Sequence, residues 1–212
     1  CYGGSDGSVY ANATGGTIPY TYSWNSTNPI NNTNIPNLFN LSSGTYYVTV
    51  TDNNGCQDYS NITINDPDSI TIILNTSNYN GSNISCNGLF DGSINANVTG
   101  GSTPYTYIWD FGSVSNSVSG LGIGTYSVIV TDSAGCTENE SVTLTEPDLI
   151  NLSTTSVDAL CYDSLNGSAT VNTIGGTSPY SYLWSDGQIT QTSTGLLSDN
   201  YSVLVTDANG CT

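Results

Sequence analysis

Along most of this chain the apolar residues fall two apart, with polar residues between them. The clearest runs are Tyr20/Tyr22/Trp24, Tyr105/Tyr107/Trp109 and Tyr180/Tyr182/Trp184. A period of two predicts strands with one buried face. Each run follows the same turn: Gly15-Gly16-Thr17-Ile18-Pro19, Gly100-Gly101-Ser102-Thr103-Pro104 and Gly175-Gly176-Thr177-Ser178-Pro179. Gly-Gly and Pro break regular structure there, and the aromatic strand begins directly after. The copies start at residues 15, 100 and 175, so they lie 85 and then 75 residues apart. A self-similar period of this size marks an array of modules.

The remaining segments repeat in the same order. Residues 7–13 and 92–98 alternate ahead of the aromatic strand. Tyr46/Val48/Val50 and Tyr126/Val128/Val130 share one face of a later strand that ends in an Asp-x-x-Gly-Cys turn. Residues 60–64 and 141–144 make a last strand, 70–74 opens the second module, and the Asn-rich insertion 28–36 reads as a loop. No segment holds a 3.6-residue apolar period, so almost no helix is expected. Short strands at this spacing predict a β-sandwich of roughly seven strands per module. The modules run over 1–67 (without a first strand), 68–147 (complete) and 148–212 (without a last strand). Asp66-Pro67-Asp68 and Glu146-Pro147-Asp148 are the only linkers, and short Pro linkers favour stiffness. The expected fold is therefore all-β, with tandem immunoglobulin-like β-sandwich modules in an extended string. The chain opens at Cys1 without Met and stops at Thr212 in mid-repeat, which reads as a segment of a longer protein.

Charge narrows the function. There are 17 acidic residues and no Lys, Arg or His. No side chain can neutralise a phosphate, which excludes nucleic acid as a partner. An anionic membrane surface would repel the chain, and no apolar run is long enough for a membrane helix. A serine nucleophile would lack a base, and the carboxylates recur at turns as structural residues do. No enzyme and no cofactor are expected. Calcium at the linkers is the sharper alternative for Asp66, Asp68, Glu146 and Asp148, where carboxylates gather without a cationic partner. Asp6, Asp52, Asp91, Asp132 and Asp207 read as turn residues.

Six cysteines, two per repeat, point to an oxidising compartment. Two schemes are open. Because each repeat supplies both members, pairing within repeats is expected: Cys1–Cys56, Cys86–Cys136 and Cys161–Cys211. In a sandwich the two positions sit at opposite ends, which favours the alternative, Cys1–Cys136 with Cys86–Cys211 across the joints. Thirteen Asn-x-Ser/Thr sequons occur, Asn12, Asn61, Asn97 and Asn139 among them. Composition alone would give about seven, so N-linked sugar is a modest signal. Tyr47 and Tyr79 read as exposed, suited to edge packing or to a sugar.

The recurring pattern of Cys, Asp/Asn-Gly-Ser, Gly-Gly-x-x-Pro-Tyr-x-Tyr-x-Trp and Tyr-x-Val-x-Val-Thr-Asp-x-x-Gly-Cys resembles the SprB repeat of Bacteroidota cell-surface proteins. Tyr107-Ile108-Trp109-Asp110-Phe111-Gly112 is similar to the related polycystic-kidney-disease-type sandwiches. The resemblance implies secreted or surface-anchored adhesins and gliding-motility filaments. It also gives weight to Asp-Ser-apolar O-glycosylation at Ser69, Ser133 and Ser164. Asp199-Asn200 departs from the family's Gly-Thr, as does the insertion at 25–37. The expected function is a structural segment of an extracellular glycosylated filament or adhesin stalk. Its partners would be other copies or modules of the fibre, or extracellular polysaccharide. A carbohydrate-binding, calcium-assisted module is the alternative.

Overall fold

The computed structural model describes residues 1–26, 34–161 and 164–212, and among these every regular element is a strand. The chain divides into two compact units. The first holds Cys1–Thr71, Val98–Thr106 and Thr131–Glu138. The second holds Ile72–Asn97, Tyr107–Val130 and Asn139–Thr212. The second repeat contributes to both.

Repeat one contains β1 (Gly7–Tyr10), β2 (Thr21–Ser26), β3 (Asn37–Leu41), β4 (Gly44–Thr51) and β5 (Gln57–Ile64). Repeat two contains β6 (Thr71–Thr76), β7 (Gly92–Thr99), β8 (Thr106–Trp109), β9 (Ser117–Leu121), β10 (Gly124–Thr131) and β11 (Thr137–Leu144). Repeat three contains β12 (Asn151–Val157), β13 (Gly167–Ile174), β14 (Ser181–Trp184), β15 (Thr192–Leu196) and β16 (Val203–Thr206). The sheets of repeat two are β6-β7-β9 and β11-β10-β8. Those of repeat one are β1-β3 and β2-β4-β5, and those of repeat three are β12-β13-β15 and β14-β16. This is the immunoglobulin-like order, with one sheet of the first, second and fifth strands facing the third, sixth and seventh. Repeat two shows no fourth strand among the described residues. The complete repeat has six strands where about seven were expected, because only residues 110–116 join β8 to β9 and they hold a turn.

The aromatic strand seeds the core as its spacing requires. Trp24, Trp109 and Trp184 are buried, and the alternate tyrosines Tyr22, Tyr107 and Tyr182 are half-buried. Each indole N–H donates to a carbonyl on the approach to the next strand: Ile35, Ser115 and Thr190, all at 2.8 Å. In repeat one that acceptor lies eleven residues on instead of six, so the insertion is absorbed without loss of the bond. Most of the insertion itself, 27–33, lies outside the described residues. Tyr46 and Tyr126 form tyrosine corners, their hydroxyls donating to the carbonyls of Ser42 (2.6 Å) and Gly122 (3.1 Å).

Three strands escape the period-two reading: β3, β9 and β15. Each carries a bulge. Gly7 pairs with Leu41 and Val9 with Leu38; Gly92 pairs with Leu121 and Ser93 with Ser119; Gly167 pairs with Leu196 and Ser168 with Thr194. The extra residue is left-handed in every case, at Asn40 (φ 56°), Gly120 (φ 74°) and Gly195 (φ 69°). The bulge turns two residues three apart inward: Leu38 with Leu41, Val118 with Leu121, Ser193 with Leu196. The departure at Asp199-Asn200 also has a consequence. β4 and β10 begin at Gly44 (φ 153°) and Gly124 (φ 157°), a conformation that suits glycine. Repeat three has no glycine there, and β16 starts only at Val203.

Candidate functional site

Each repeat carries an Asp-x-x-Gly-Cys turn organised by its carboxylate. Asp132 accepts from the backbone N–H of Ala134 (2.9 Å) and Cys136 (2.8 Å) through one oxygen. Its other oxygen accepts from Ser102 N–H (2.9 Å) in the Gly-Gly-Pro turn. Asp52 does the same with Asn54, Cys56 and Thr17 at 2.9, 2.9 and 3.0 Å. Asp207 does so with Asn209, Cys211 and Thr177 at 2.8, 2.9 and 2.8 Å. The turn residues expected from Asp-x-x-Gly spacing are thus also the ties between two distant loops.

Those bonds favour the ionised form. The Thr17 N–H, with that of Cys56, holds the Asp52 carboxyl below its ordinary 3.8. The Ser102 N–H, against the opposing effect of burial, does the same for Asp132. A carboxyl depressed on folding adds stability above its unfolded pKa and loses it as pH falls towards the folded value. The thermal midpoint of the oxidised protein is therefore expected to hold to about pH 5 and fall below about pH 4. Relief of repulsion among the acidic residues acts in the opposite sense. The comparison is accordingly with Asp132→Asn, whose midpoint should start lower and fall less. Parallel curves for the two proteins would refute the assignment.

The Gly-Gly-Pro turn closes on itself and on the linker. The Ile18–Pro19, Thr103–Pro104 and Ser178–Pro179 bonds are cis, which the sequence reading did not anticipate. The hydroxyls of Tyr20, Tyr105 and Tyr180 donate back to the carbonyls of Gly15, Gly100 and Gly175. Gly101 N–H donates to the Asp68 carbonyl and Gly176 N–H to the Asp148 carbonyl, both at 2.7 Å. The linker passes so close that a Cβ on Gly100 would lie 1.9 Å from the Ser69 carbonyl oxygen, and one on Gly175 2.0 Å from that of Leu149. Gly100→Ala and Gly175→Ala should each lose about 1–2 kcal/mol from the left-handed backbone alone. Displacement of the linker adds to that. Gly112→Ala, also at positive φ (90°) but with open space, isolates the overlap. Equal losses for all three in a denaturation series would show that the linker contact is irrelevant.

The cysteines correct the expectation of pairing within repeats. The bonds are Cys1–Cys136 in the first unit and Cys86–Cys211 in the second, with Cα–Cα distances of 5.3 and 5.7 Å. Cys56 and Cys161 are exposed free thiols, not disulfide members. The reason is the length of a strand. In repeat three Cys161 precedes β13 and Cys211 lies at its far end, where Thr177 N–H meets Asp207. Eight residues at about 3.3 Å each keep them on the order of 25 Å apart, and a disulfide needs Cα atoms within about 7 Å. In repeat one β4 separates Cys1 from Cys56 in the same way. The bonds therefore join the first cysteine of one repeat to the second cysteine of the next.

Hydrogen bonds reinforce the Cys86–Cys211 joint. The Asn209 amide donates to the Ser85 carbonyl (3.0 Å), the Tyr79 carbonyl (3.4 Å) and the Thr177 hydroxyl (3.2 Å), and its oxygen accepts from Asn80 (2.6 Å). The linker carboxylates are similarly engaged. Asp66 accepts from Gly3 N–H (3.2 Å) and the Ser43 hydroxyl (2.9 Å). Glu146 accepts from the Asn87 amide (3.0 Å) and Gly88 N–H (2.7 Å). Asp68 and Asp148 act through their carbonyls. Among the described residues no three acidic or cysteine groups converge as a metal site would require.

Of the modification candidates, Ser69, Ser133, Asn12, Asn61, Asn97 and Asn139 are exposed and Ser164 is half-buried. The Ser133 hydroxyl donates to the carbonyls of Ser102 and Thr103, both at 3.0 Å. Tyr47 is exposed, but Tyr79 is half-buried and its hydroxyl donates to the Asp91 carbonyl. Repeat one carries an open groove of about 700 Å³ lined by Val9, Tyr10, Tyr20, Trp24 and Tyr59. It runs between β1 and β5. Repeat two has a further strand, β6, beside the equivalent β7, and repeat one has no such strand among the described residues.

Three segments of the chain match the SprB repeat family: residues 1–28, 78–114 and 153–189. The chain carries three SprB repeats. Each match spans a first cysteine and its Gly-Gly-x-x-Pro-Tyr-x-Tyr-x-Trp turn and strand, and stops before the Asp-x-x-Gly-Cys turn. SprB repeats are surface repeats, and the chain is an adhesin-type structural module. No curated protein matches it. Among solved structures, an amphioxus IgVJ-C2 molecule is similar at 16% identity and a TM-score of 0.30, over 67% of this chain and 97% of that one. A structure addressing Dscam isoform specificity is similar at 15% identity and a TM-score of 0.26, over 79% of this chain and 52% of that one.

Proposed function

We propose that these SprB repeats, with limits near 1–67, 68–147 and 148–212, form a structural segment of an extracellular glycosylated filament or surface adhesin stalk. The observation that supports this most is that both disulfides run from one repeat to the next. Such bonds maintain the order of repeats under load and under proteases, and they need an oxidising environment. The same Asp turn recurs three times. The work is mechanical and needs no cofactor. The partners are further repeats of the fibre, with sugar chains at Ser69, Ser133, Ser164 and the exposed sequon asparagines Asn12, Asn61, Asn97 and Asn139.

Electron microscopy of the native secreted protein, with glycopeptide mass spectrometry, tests this reading. Filaments with a repeat spacing matching the modules, and hexose-type mass additions at those residues, are expected. Isolated, unmodified particles that bind polysaccharide, more tightly with calcium, would overturn it in favour of a lectin.

A further inference from the structure

Two exposed tyrosines stand on the outer face of β2-β4-β5, and an asparagine that can bear sugar stands beside both. Trp24, Tyr46 and Val48 are buried on the inner face of that sheet, so the alternate residues face outward. These include Asn25 on β2, Tyr47 and Thr49 on β4, and Tyr59, Asn61 and Thr63 on β5. The register sets Asn61 directly opposite Tyr47, and Tyr59 opposite Thr49. Opposed residues have Cβ atoms about 5 Å apart, and two residues along a strand span about 7 Å. Asn61 is therefore one strand spacing from Tyr47 and one same-face step from Tyr59. Tyr47 is 49% exposed and Tyr59 82%.

The sandwich does not require aromatic rings at these places. In repeat two the hydroxyls of Thr125 and Thr143 make the contact (2.8 Å) that Thr45 and Thr63 make (3.1 Å) in repeat one. That match puts Ser127 and Asn139 where repeat one has Tyr47 and Tyr59. The two rings thus leave their apolar bodies in water without a packing role. The face itself carries what could cover them. Asn61-Ile62-Thr63 is a sequon, with Asn61 and Thr63 both exposed. Asn25, opposite Tyr47 on the other side, opens a second sequon, Asn25-Ser26-Thr27. Only Asn61 adjoins both tyrosines.

We propose that Tyr47 and Tyr59 form a binding platform for the sugar chain carried by Asn61, whose first pyranose rings lie flat on them. One face of a pyranose is lined by C–H bonds. Laying that face on an aromatic ring takes both apolar surfaces out of water, while the sugar hydroxyls stay wet. The tether adds to this, because a sugar fixed at Asn61 is already beside the rings and loses little freedom on settling there. The sugar comes from a phosphate-activated glycan donor: the Asn61 amide nitrogen bonds the anomeric carbon and gives up a proton, and the phosphate leaves with the bonding electrons. The platform deepens the glycosylated-stalk reading and rests on it.

The test uses the native secreted protein beside its Asn61→Gln and Thr63→Val variants, each of which removes the sequon. Glycopeptide mass spectrometry first reads whether Asn61 carries sugar. Tyrosine nitration, read on chymotryptic peptides because the chain has no Lys or Arg for trypsin, then reads access to each ring. Tyr10, 67% exposed, is the internal reference. Tyr59 is the decisive ring, since Asn25 adjoins only Tyr47. In both variants its nitration relative to Tyr10 should rise several-fold over wild type. The Tyr47→Thr/Tyr59→Thr double variant should lower the thermal midpoint when Asn61 carries sugar and leave it unchanged in the Asn61→Gln background. A bare Asn61 in the wild-type protein overturns glycosylation at this residue and the platform with it. A sugar-bearing Asn61 with equal Tyr59 nitration in all three proteins overturns the platform alone.

Discussion

Cys86→Ser or Cys211→Ser should destabilise the second unit by about 5 kcal/mol. The bond spans 125 residues, and the entropy removed from the unfolded chain grows with the logarithm of that loop. The effect is large because the loop that the bond closes is long. β12 and the Glu146-Pro147-Asp148 linker join the repeats through the chain, while the Asn209 bonds contribute only locally. The measurement is urea unfolding followed by tryptophan fluorescence. The double variant Cys86→Ser/Cys211→Ser should cost no more than either single one, because the two residues act as one bond. Cys136→Ser separates the pairing schemes. If Cys86 were bonded to Cys136, that variant would reproduce the loss. With Cys1–Cys136 as the bond, it destabilises the first unit and leaves the second near its wild-type midpoint. A Cys86→Ser protein that unfolds like wild type would remove the joint from any mechanical role.

Trp109→Ala is expected to cost about 3–5 kcal/mol. The ring is 1% exposed, and Ile94, Val118, Val128 and Val130 of repeat two are buried as well. Phe111 sits 6.0 Å away, centroid to centroid, and is itself edge-on to Tyr126. Truncation leaves a cavity and also strips the Ser115 carbonyl of its 2.8 Å donor. Trp109→Phe divides the two losses. It keeps most of the apolar volume and loses the N–H, so it should fall between wild type and alanine. Thermal or urea unfolding gives both numbers, and an alanine variant within 1 kcal/mol of wild type would mean that the aromatic strand does not seed the core.

The legible parts of the chain are those governed by local chemistry. The aromatic strands, the strands ending in Val-x-Val-Thr and the absence of helix follow from period-two alternation, which depends on the residues themselves. The Asp-x-x-Gly-Cys turns were visible for the same reason. β3, β9 and β15 were not, because each hides its alternation behind a left-handed residue. Ser117-Val118-Ser119-Gly120-Leu121 places its two buried side chains three apart, so it reads as a loop until the partner strand is known. Asp186 was also missed. Its carboxylate accepts from Gln188 N–H (3.1 Å) and the buried Ser193 hydroxyl (2.9 Å), and the Gln188 bond draws its pKa below the ordinary value. Only the bulge in β15 brings Ser193 to that place.

The sequence by itself determined the array, the sandwich class and the buried face of each aromatic strand. These follow from spacing and composition, which need no partner to be read. Tertiary structure alone decided the pairing of the cysteines. Both schemes satisfy the repeat, and only the length of the strand between two cysteines forbids one of them. It likewise decided that the acidic residues at the linkers close hydrogen bonds, since the N–H groups they accept from, Gly3 to Asp66 and Gly88 to Glu146, lie 63 and 58 residues away along the chain.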